Sequence, residues 1–345
     1  MNFEQYKIAF EKQASNSGYT EQNIKRCMAY AEVLISNNVP VIYNTSHLSS
    51  LVGYKKEYLK KAVVYTPYFY RDFEILKKNG KKRKISEPLP SLKEIQTWIL
   101  ENILYNVIVS PFAKAYRPKV SIIENLRFHK NQPKVFTLDL ENFFPSIKVD
   151  SVECIFLQLG YSKVLSNLLA KLCCRDNSLP QGAPTSPYLS NIFFITADDL
   201  ISKYCIARKI KYTRYADDLS FSGEFDVDEL LIFVTAVVTN LNLRINKSKS
   251  KLMTPNTRQT VTGIVVNEKP QVVFHKRNEL RQILYFIKKF GFDEHVRFKK
   301  IKQSNYLEHL LGRVSFILQI NPDDKEFQDY KRILIELKTK PDLMS

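Results

Sequence analysis

Three carboxylates stand out by where they fall. Asp139 closes the β-rich run Val135-Phe136-Thr137-Leu138-Asp139-Leu140. Asp217 and Asp218 follow Tyr215-Ala216, between Lys211-Tyr212-Thr213-Arg214-Tyr215 and Leu219-Ser220-Phe221-Ser222, two runs suited to flank a tight hairpin. Such residues point to nucleotidyl transfer, which asks little covalent work of a protein because positioned phosphates and neutralised charge supply most of the catalysis. Two Mg²⁺ ions roughly 4 Å apart would do both. Magnesium is a hard ion that prefers carboxylate, phosphate and water oxygen, so its site needs acidic side chains converging from separate strands. Taken alone, however, Tyr215-Ala216-Asp217-Asp218 is equally an ordinary turn, since turns favour aspartate for local hydrogen bonding. Asp198-Asp199, after the helical run from Ser190 to Ala197, is a further acidic pair and reads as a solvated helix face.

The elements that must hold these side chains follow from periodicity. Residues 1–60 read as helical, with Ile24, Cys27, Met28, Ala31, Leu34 and Ile35 three or four apart and a break at Asn37-Asn38-Val39-Pro40. Tyr70 to Ile75, a turn at Lys78-Asn79-Gly80 and Arg83-Lys84-Ile85-Ser86 form a basic β-hairpin. Leu92 to Leu104 and Lys163 to Cys174 are helical, and the chain turns helical and basic again from Asn278 to Phe290 and around Tyr306 to Ile320. This order predicts an α+β fold in which an antiparallel sheet is backed by helices.

Composition narrows the partner. A chain of 345 residues with 44% hydrophobic residues buries a sizeable core, and its formal charge of +17 favours a polyanion. No apolar run reaches the ~18 residues of a membrane span, and Met1-Asn2-Phe3-Glu4-Gln5 does not open like a signal peptide, so no membrane partner and a cytoplasmic location are expected. The five cysteines, Cys27, Cys154, Cys173, Cys174 and Cys205, contain no Cys-x-x-Cys and read as reduced packing residues. Neither internal repeats nor low-complexity stretches are present.

Tyr215-Ala216-Asp217-Asp218 resembles the aromatic-x-Asp-Asp motif of reverse transcriptases, and other motifs of that family stand in order around it. Leu138-Asp139-Leu140-Glu141-Asn142-Phe143-Phe144-Pro145-Ser146-Ile147 resembles the first metal motif, and Leu179-Pro180-Gln181-Gly182-Ala183-Pro184-Thr185-Ser186-Pro187 the segment that meets the incoming nucleotide. Arg83-Lys84-Ile85-Ser86-Glu87-Pro88 resembles the triphosphate-gripping fingers segment, and Asn246-Lys247-Ser248-Lys249-Ser250 the lysine motif. The resemblance spans about residues 70–267 and implies a right-hand polymerase fold: an N-terminal helical region over 1–60, fingers over 61–135, a palm over 136–268 with a fingers segment inserted near 148–180, and a helical thumb with an RNA-binding region over 269–345.

Roles follow from the resemblance. Asp139 and Asp217 would bind two Mg²⁺ ions, with Mn²⁺ as a substitute; Asp218 would complete or support the site and the Leu140 carbonyl add a ligand. Arg83, Phe144, Gln181, Gly182 and Lys249 would serve the dNTP. Phe144, five places after Asp139, either blocks a 2′-hydroxyl by steric exclusion or is a core phenylalanine beside Phe143. Gln181-Gly182 is either a nucleotide contact or a structural turn. Lys249 is either an electrostatic aid or proton donor near the pyrophosphate, or one of a solvated basic run with Lys247 and Lys251.

Three features resemble the bacterial retron branch: Asn125-Leu126-Arg127-Phe128-His129, with Leu126 in place of the usual alanine; Val261-Thr262-Gly263; and Leu311-Gly312-Arg313-Val314-Ser315-Phe316-Ile317 in the thumb. That branch copies its own structured noncoding RNA (msr-msd) into an RNA-joined DNA, msDNA, primed from a guanosine 2′-hydroxyl and often used in antiphage defence, which leaves room for an effector protein as partner. With no room after the thumb for an RNase H, template removal would fall to the host enzyme. Asn125, His129, Val261, Thr262, Gly263, Lys276, Arg277, Arg281 and Arg313 are the expected RNA-contacting residues, His129 with structural support as its other reading. Lys276, Arg277, Arg281, Lys288, Lys289, Arg297, Lys299 and Lys300 offer phosphate contacts, while Tyr285, Phe286, Phe290, Phe292 and Phe298 pack or stack on bases.

The alternatives are another bacterial reverse transcriptase, of group II intron, diversity-generating or abortive-infection type, or a catalytically silent RNA-binding relative. Val261-Thr262-Gly263 speaks against the first. Against the second, three clustered carboxylates repel one another at a cost that only a metal offsets.

Overall fold

A short polar side chain opens many of the helices. Thr20 and Asn44 accept hydrogen bonds from Asn23 N and His47 N, three residues on, at two N-termini of the first third, and Ser162 does the same for Leu165 N. The structure, a computed structural model, describes residues 3–76, 80 and 82–339. Of the turn expected at Lys78-Asn79-Gly80 only Gly80 lies within them; Lys77 and Lys81 of the same basic run also fall outside.

In chain order the elements are α1 (Phe3–Asn16), α2 (Glu21–Ser36), α3 (Thr45–Val52), α4 (Lys56–Val64), β1 (Tyr70–Leu76), β2 (Lys82–Pro88), α5 (Pro90–Asn102), α6 (Ile122–His129), β3 (Val135–Asp139), α7 (Phe143–Ser146), α8 (Val149–Gln158), α9 (Lys163–Cys173), α10 (Ser186–Phe193) and α11 (Ile195–Ala207). They continue as β4 (Lys211–Tyr215), β5 (Asp218–Ser222), α12 (Val227–Thr239), β6 (Lys251–Met253), β7 (Thr260–Val261), β8 (Ile264–Val265), β9 (Gln271–Val272), α13 (Phe274–Phe290), α14 (Phe292–Phe298), α15 (Tyr306–Ile320) and α16 (Lys325–Thr339). The helix–strand pattern read from the sequence is present throughout, as an α+β fold with antiparallel sheets.

These elements form two compact units, and the divisions do not fall at 60, 135 and 268. The first unit holds the chain to Pro118, Leu140–Lys203 and Leu231–Ile245; the second holds Lys119–Asp139, Tyr204–Leu230 and everything from Asn246. Strand pairing explains the difference. β3 lies between β5 and β6, far along the chain, and those bonds draw it into the second unit while the segment after Asp139 folds with the N-terminal helices.

In the first unit β1 and β2 pair antiparallel, and the register sorts their side chains onto two faces. Phe73, Ile75, Arg83 and Ile85 share one face; Asp72, Glu74, Lys82, Lys84 and Ser86 share the other. Glu74 pairs with Lys82 at 2.6 Å and Asp72 with Lys84 at 3.0 Å on that second face.

In the second unit the sheet runs β4-β5-β3-β6. Phe136, Leu138, Leu219, Phe221 and Tyr212 line one face, with the Tyr212 and Phe221 rings stacked 5.2 Å apart. Thr137, Asp139, Asp218, Ser220, Ser222 and Thr213 line the other. A second core joins Leu126, Val135, Met253 and Val261 to Leu280, Leu284, Leu310, Val314, Phe327 and Leu334. Burial of such side chains contributes roughly 1.5–3 kcal/mol each, and it ties β7 to the helices that follow.

Cys173, Cys174 and Cys205 are buried thiols, whereas Cys154 is exposed and does not pack. Asp198 departs from its expected solvated face: it is fully buried, and only Asp199 faces outward, paired with Lys203 at 2.8 Å. Among the described residues no helix is long and apolar enough to cross a membrane.

Candidate active site

Strand register brings the separated carboxylates together. Asp139 is the direct cross-strand partner of Asp218, on neighbouring antiparallel strands of the second unit. Tyr215 pairs with Asp218, so Ala216 and Asp217 are the two-residue turn. Only the first of them has a positive φ, 60° at Ala216, the pattern of a type II′ hairpin. Glycine is the usual residue there, and alanine carries a left-handed backbone at a cost of roughly 1–2 kcal/mol. Arg214, buried in the sheet, donates from Nη1 to the Ala216 carbonyl at 3.1 Å and braces the turn.

The electrostatics are those of crowded acids. Burial first, then Asp217 and Asp139 nearby, push the Asp218 carboxyl up to about 6, while Lys249 acts the other way. Lys249 Nζ lies 2.8 Å from both carboxylate oxygens of Asp139. Lys249 is thus held in an ion pair with Asp139 while its side chain stays largely exposed. The segment that carries it is fastened to the strand end: Asn246 N donates to the Asp139 carbonyl at 2.7 Å, and Glu141 N to the Arg244 carbonyl at 2.8 Å. Leu140 and Ile245 thus form a non-hydrogen-bonded pair, which turns the Leu140 carbonyl away from that neighbour.

Among the described residues no three His, Cys, Asp or Glu side chains stand as a ready-made metal cage. The donor chemistry nevertheless suits a hard divalent cation: carboxylate oxygens, half-buried and mutually repelling, with one already drawing in a lysine ammonium.

A hydrogen-bond chain lies further along the same sheet face. Thr213 Oγ1 donates to Asn125 Oδ1 at 2.5 Å, so it must accept from His129 Nε2 at 2.7 Å; Nδ1 is then the acceptor for Ser222 Oγ, also 2.7 Å away. Burial, then Lys211, lower the imidazole to about 3, consistent with this neutral tautomer. Asn125 and His129 are fully buried, Asn125 bonded to β4 and His129 bridging β4 and β5, which corrects the RNA contact expected of each. Val261 is corrected likewise: it sits in the core beneath α6, and Thr262 and Gly263, with φ of 48° and 78°, are the tip of a type I′ turn between β7 and β8.

Three arginines expected at the RNA are committed within the chain. Arg277 pairs with Asp324 and lies 5.3 Å over the Phe327 ring, Arg281 makes two bonds of 2.6 Å to Glu326, and Arg313 reaches Glu279 at 2.9 Å. The first two hold α13 against the start of α16. Lys276 is exposed.

In the first unit a cleft of 370 Å³ is lined by Lys82, Arg83, Lys84, Arg175, Asn142 and Gln181, among others. Lys82 and Lys84 are paired as described, while Arg83 forms no ion pair with any of the described residues. Arg175, which no motif announced, makes a two-pronged bond to Asp72 and lies 5.2 Å over the Tyr70 ring. Its guanidinium, with help from Lys84, holds the Asp72 carboxyl well below the usual range. Gly182 has a structural reason of its own: φ is 126°, and a Cβ would lie 2.8 Å from the Ser86 carbonyl oxygen. Ser86 N in turn donates to the Gln181 carbonyl at 2.7 Å, stitching the loop to β2. Phe143 is buried and Phe144 half-exposed against Tyr116, ring centroids 6.3 Å apart, so Phe143 is the core phenylalanine of the two.

Residues 75–303 match the family model described as reverse transcriptase (RNA-dependent DNA polymerase). Retron Ec86 reverse transcriptase of Escherichia coli is 33% identical over 82% of this chain and 86% of its own length. Retron Ec83 reverse transcriptase of Escherichia coli is 31% identical over 73% of this chain and 83% of its own, and Retron Mx162 reverse transcriptase of Myxococcus xanthus 30% over 74% and 59%. A telomerase structure from Candida albicans aligns with a TM-score of 0.45 at 10% identity, over 79% of this chain and 64% of that one. With the reverse transcriptase family model matching residues 75–303 and a retron enzyme 33% identical over 82% of its length, the chain belongs to the bacterial retron reverse transcriptases and is an RNA-directed DNA polymerase.

Proposed function

We propose that this chain copies part of its own structured noncoding RNA, an msr-msd transcript, into single-stranded DNA joined to that RNA, priming from an RNA 2′-hydroxyl and using Mg²⁺. The observation that supports it best is the pairing of Asp139 with Asp218 beside a turn that carries Asp217. Magnesium, when bound, supplies charge neutralisation at the phosphates and eases deprotonation of the attacking hydroxyl. Asp139, Asp217 and Asp218 would hold it, and the Leu140 carbonyl is a further donor. The ammonium of Lys249 screens Asp139 and so limits repulsion among the three acids while the site is being filled. Arg83 is the cation for the triphosphate, in the cleft that Gln181 also lines.

Phe144 would act as the steric gate, since its ring is accessible where that of Phe143 is not; Phe144→Ala is expected to admit ribonucleotides. β1 and β2 would serve as fingers, the four-stranded sheet as palm, and α13 to α16 as thumb. Defence against phage, with an effector protein and host RNase H as partners, is the setting that the resemblance suggests.

The test is to isolate nucleic acid from cells expressing the chain with its flanking locus. A short RNase-resistant DNA joined to RNA, absent when Asp217 and Asp218 are alanine, is the expected product. Free DNA without an RNA junction would reject the priming reading.

A further inference from the structure

One apolar opening of the second unit lies far from the carboxylate strands in sequence. It is a cavity of 550 Å³ on α13 and α14, lined by Phe286, Phe290, Glu294, His295, Phe298 and Lys299. Its three phenylalanines are 45%, 53% and 79% exposed, which is unusual for rings that have a core available to them. Phe286 and Phe290, one helical turn apart, lie with ring centroids 5.9 Å apart at 22°. The floor is polar but satisfied: His295 is buried, bonded to the Tyr306 hydroxyl at 3.1 Å and stacked on that ring.

The rim is cationic at two of the three rings. Lys289 Nζ is 5.1 Å from the Phe290 centroid, and Lys299 Nζ is 5.7 Å from that of Phe298. The one carboxylate of the lining, Glu294, is paired with Arg297 at 3.1 Å. Lysine is depleted from the centres of protein–protein interfaces, whereas aromatic platforms edged with cations suit single-stranded nucleic acid, whose bases stack while its phosphates take the charge.

We propose that this cavity is a stacking site for an unpaired base of single-stranded RNA, with Phe290 and Phe298 as the platform and Lys289 and Lys299 as the contacts to the flanking phosphates. Stacking on a ring face makes no demand on base identity, so the site holds a strand in place without selecting its sequence. The proposal rests on the RNA-copying reading and adds to it a contact made by bases outside any duplex.

The test uses the full chain and two fluorescein-labelled strands of equal length, oligo(rA) and an abasic strand with the same number of phosphates. Phe290→Ala with Phe298→Ala should weaken oligo(rA) binding by about tenfold or more and leave the abasic strand unchanged, while Phe290→Tyr with Phe298→Tyr should bind like wild type. An equal loss on both strands, no loss on either, or full retention by Phe290→Leu with Phe298→Leu would overturn it, the last marking an apolar face for a protein partner. Thermal melting of each variant separates misfolding from lost stacking, because the tyrosine pair keeps the rings. DNA synthesis on an RNA template, measured on the same preparations, tests the underlying reading separately: it persists if only the stacking site is wrong.

Discussion

Thr213 has one hydroxyl proton, and giving it to Asn125 leaves His129 a single tautomer. That chain of donors makes a pH prediction possible. Because the imidazole is held at about 3 when folded and near 6.5 when unfolded, the unfolded chain binds the extra proton between those values. Stability from this group is therefore complete above pH 6.5 and falls as pH drops toward 3, by at most about 1.4 kcal/mol per pH unit. His129→Gln should be less stable than wild type at pH 7 yet lose less between pH 6.5 and 4.5. Urea unfolding of both at the two pH values checks this, and parallel losses would contradict it. Asp218 moves in the opposite direction, since burial first, and then crowding by Asp217 and Asp139, favours its protonated form. The carboxylates were legible because their order along the chain is itself the motif. The roles of Asn125 and Val261 were not, since a signature shared with relatives does not say whether a side chain faces a ligand or the core; only the packing of α6 on β4 places Asn125 beside Thr213.

Two turns carry backbone strain that sequence alone does not reveal. Thr262 opens a type I′ turn at φ 48°, where a β-branched residue is disfavoured and asparagine is the usual choice. Thr262→Asn should raise stability by about 0.5–1 kcal/mol, read as an increase in melting temperature; a decrease would mean that the threonine side chain is needed for packing. Gly182→Ala has the opposite outlook, because its Cβ would strike the Ser86 carbonyl and the Ile85 side chain. Loss of the Ser86 N to Gln181 bond should raise the KM for dNTP severalfold with a smaller effect on RNA binding, measurable by steady-state primer extension. The hairpins and helices themselves were readable from alternation and spacing. Arg175 was not, because its partner Asp72 lies on β1, over a hundred residues earlier, and nothing local marks the pair. Asp198 misled for a related reason: an acidic pair on a helix looks solvated until neighbouring elements cover one of the two.

The excess of +17 over 345 residues fits a chain that handles polyanions throughout, yet much of the visible basicity is spent internally. Arg277, Arg281 and Arg313 secure the helices that follow the small sheet, leaving lysines such as Lys276, Lys288 and Lys299 on the surface. Long-range strand pairing, and not the linear order of motifs, decides which segments fold together, so boundaries drawn along the chain at 60, 135 and 268 could not anticipate the two compact units. In the proposed reaction Asp139, Asp217 and Asp218 would act together on nucleotides with a divalent cation. The most direct measurement is extension of a DNA primer on an RNA template by the full chain, with Mg²⁺ present or chelated, comparing wild type with Asp217→Asn. The account predicts Mg²⁺-dependent synthesis that falls by at least about a thousandfold in the variant, with RNA binding retained. Synthesis within tenfold of wild type in Asp217→Asn, or full synthesis in chelator, would contradict it.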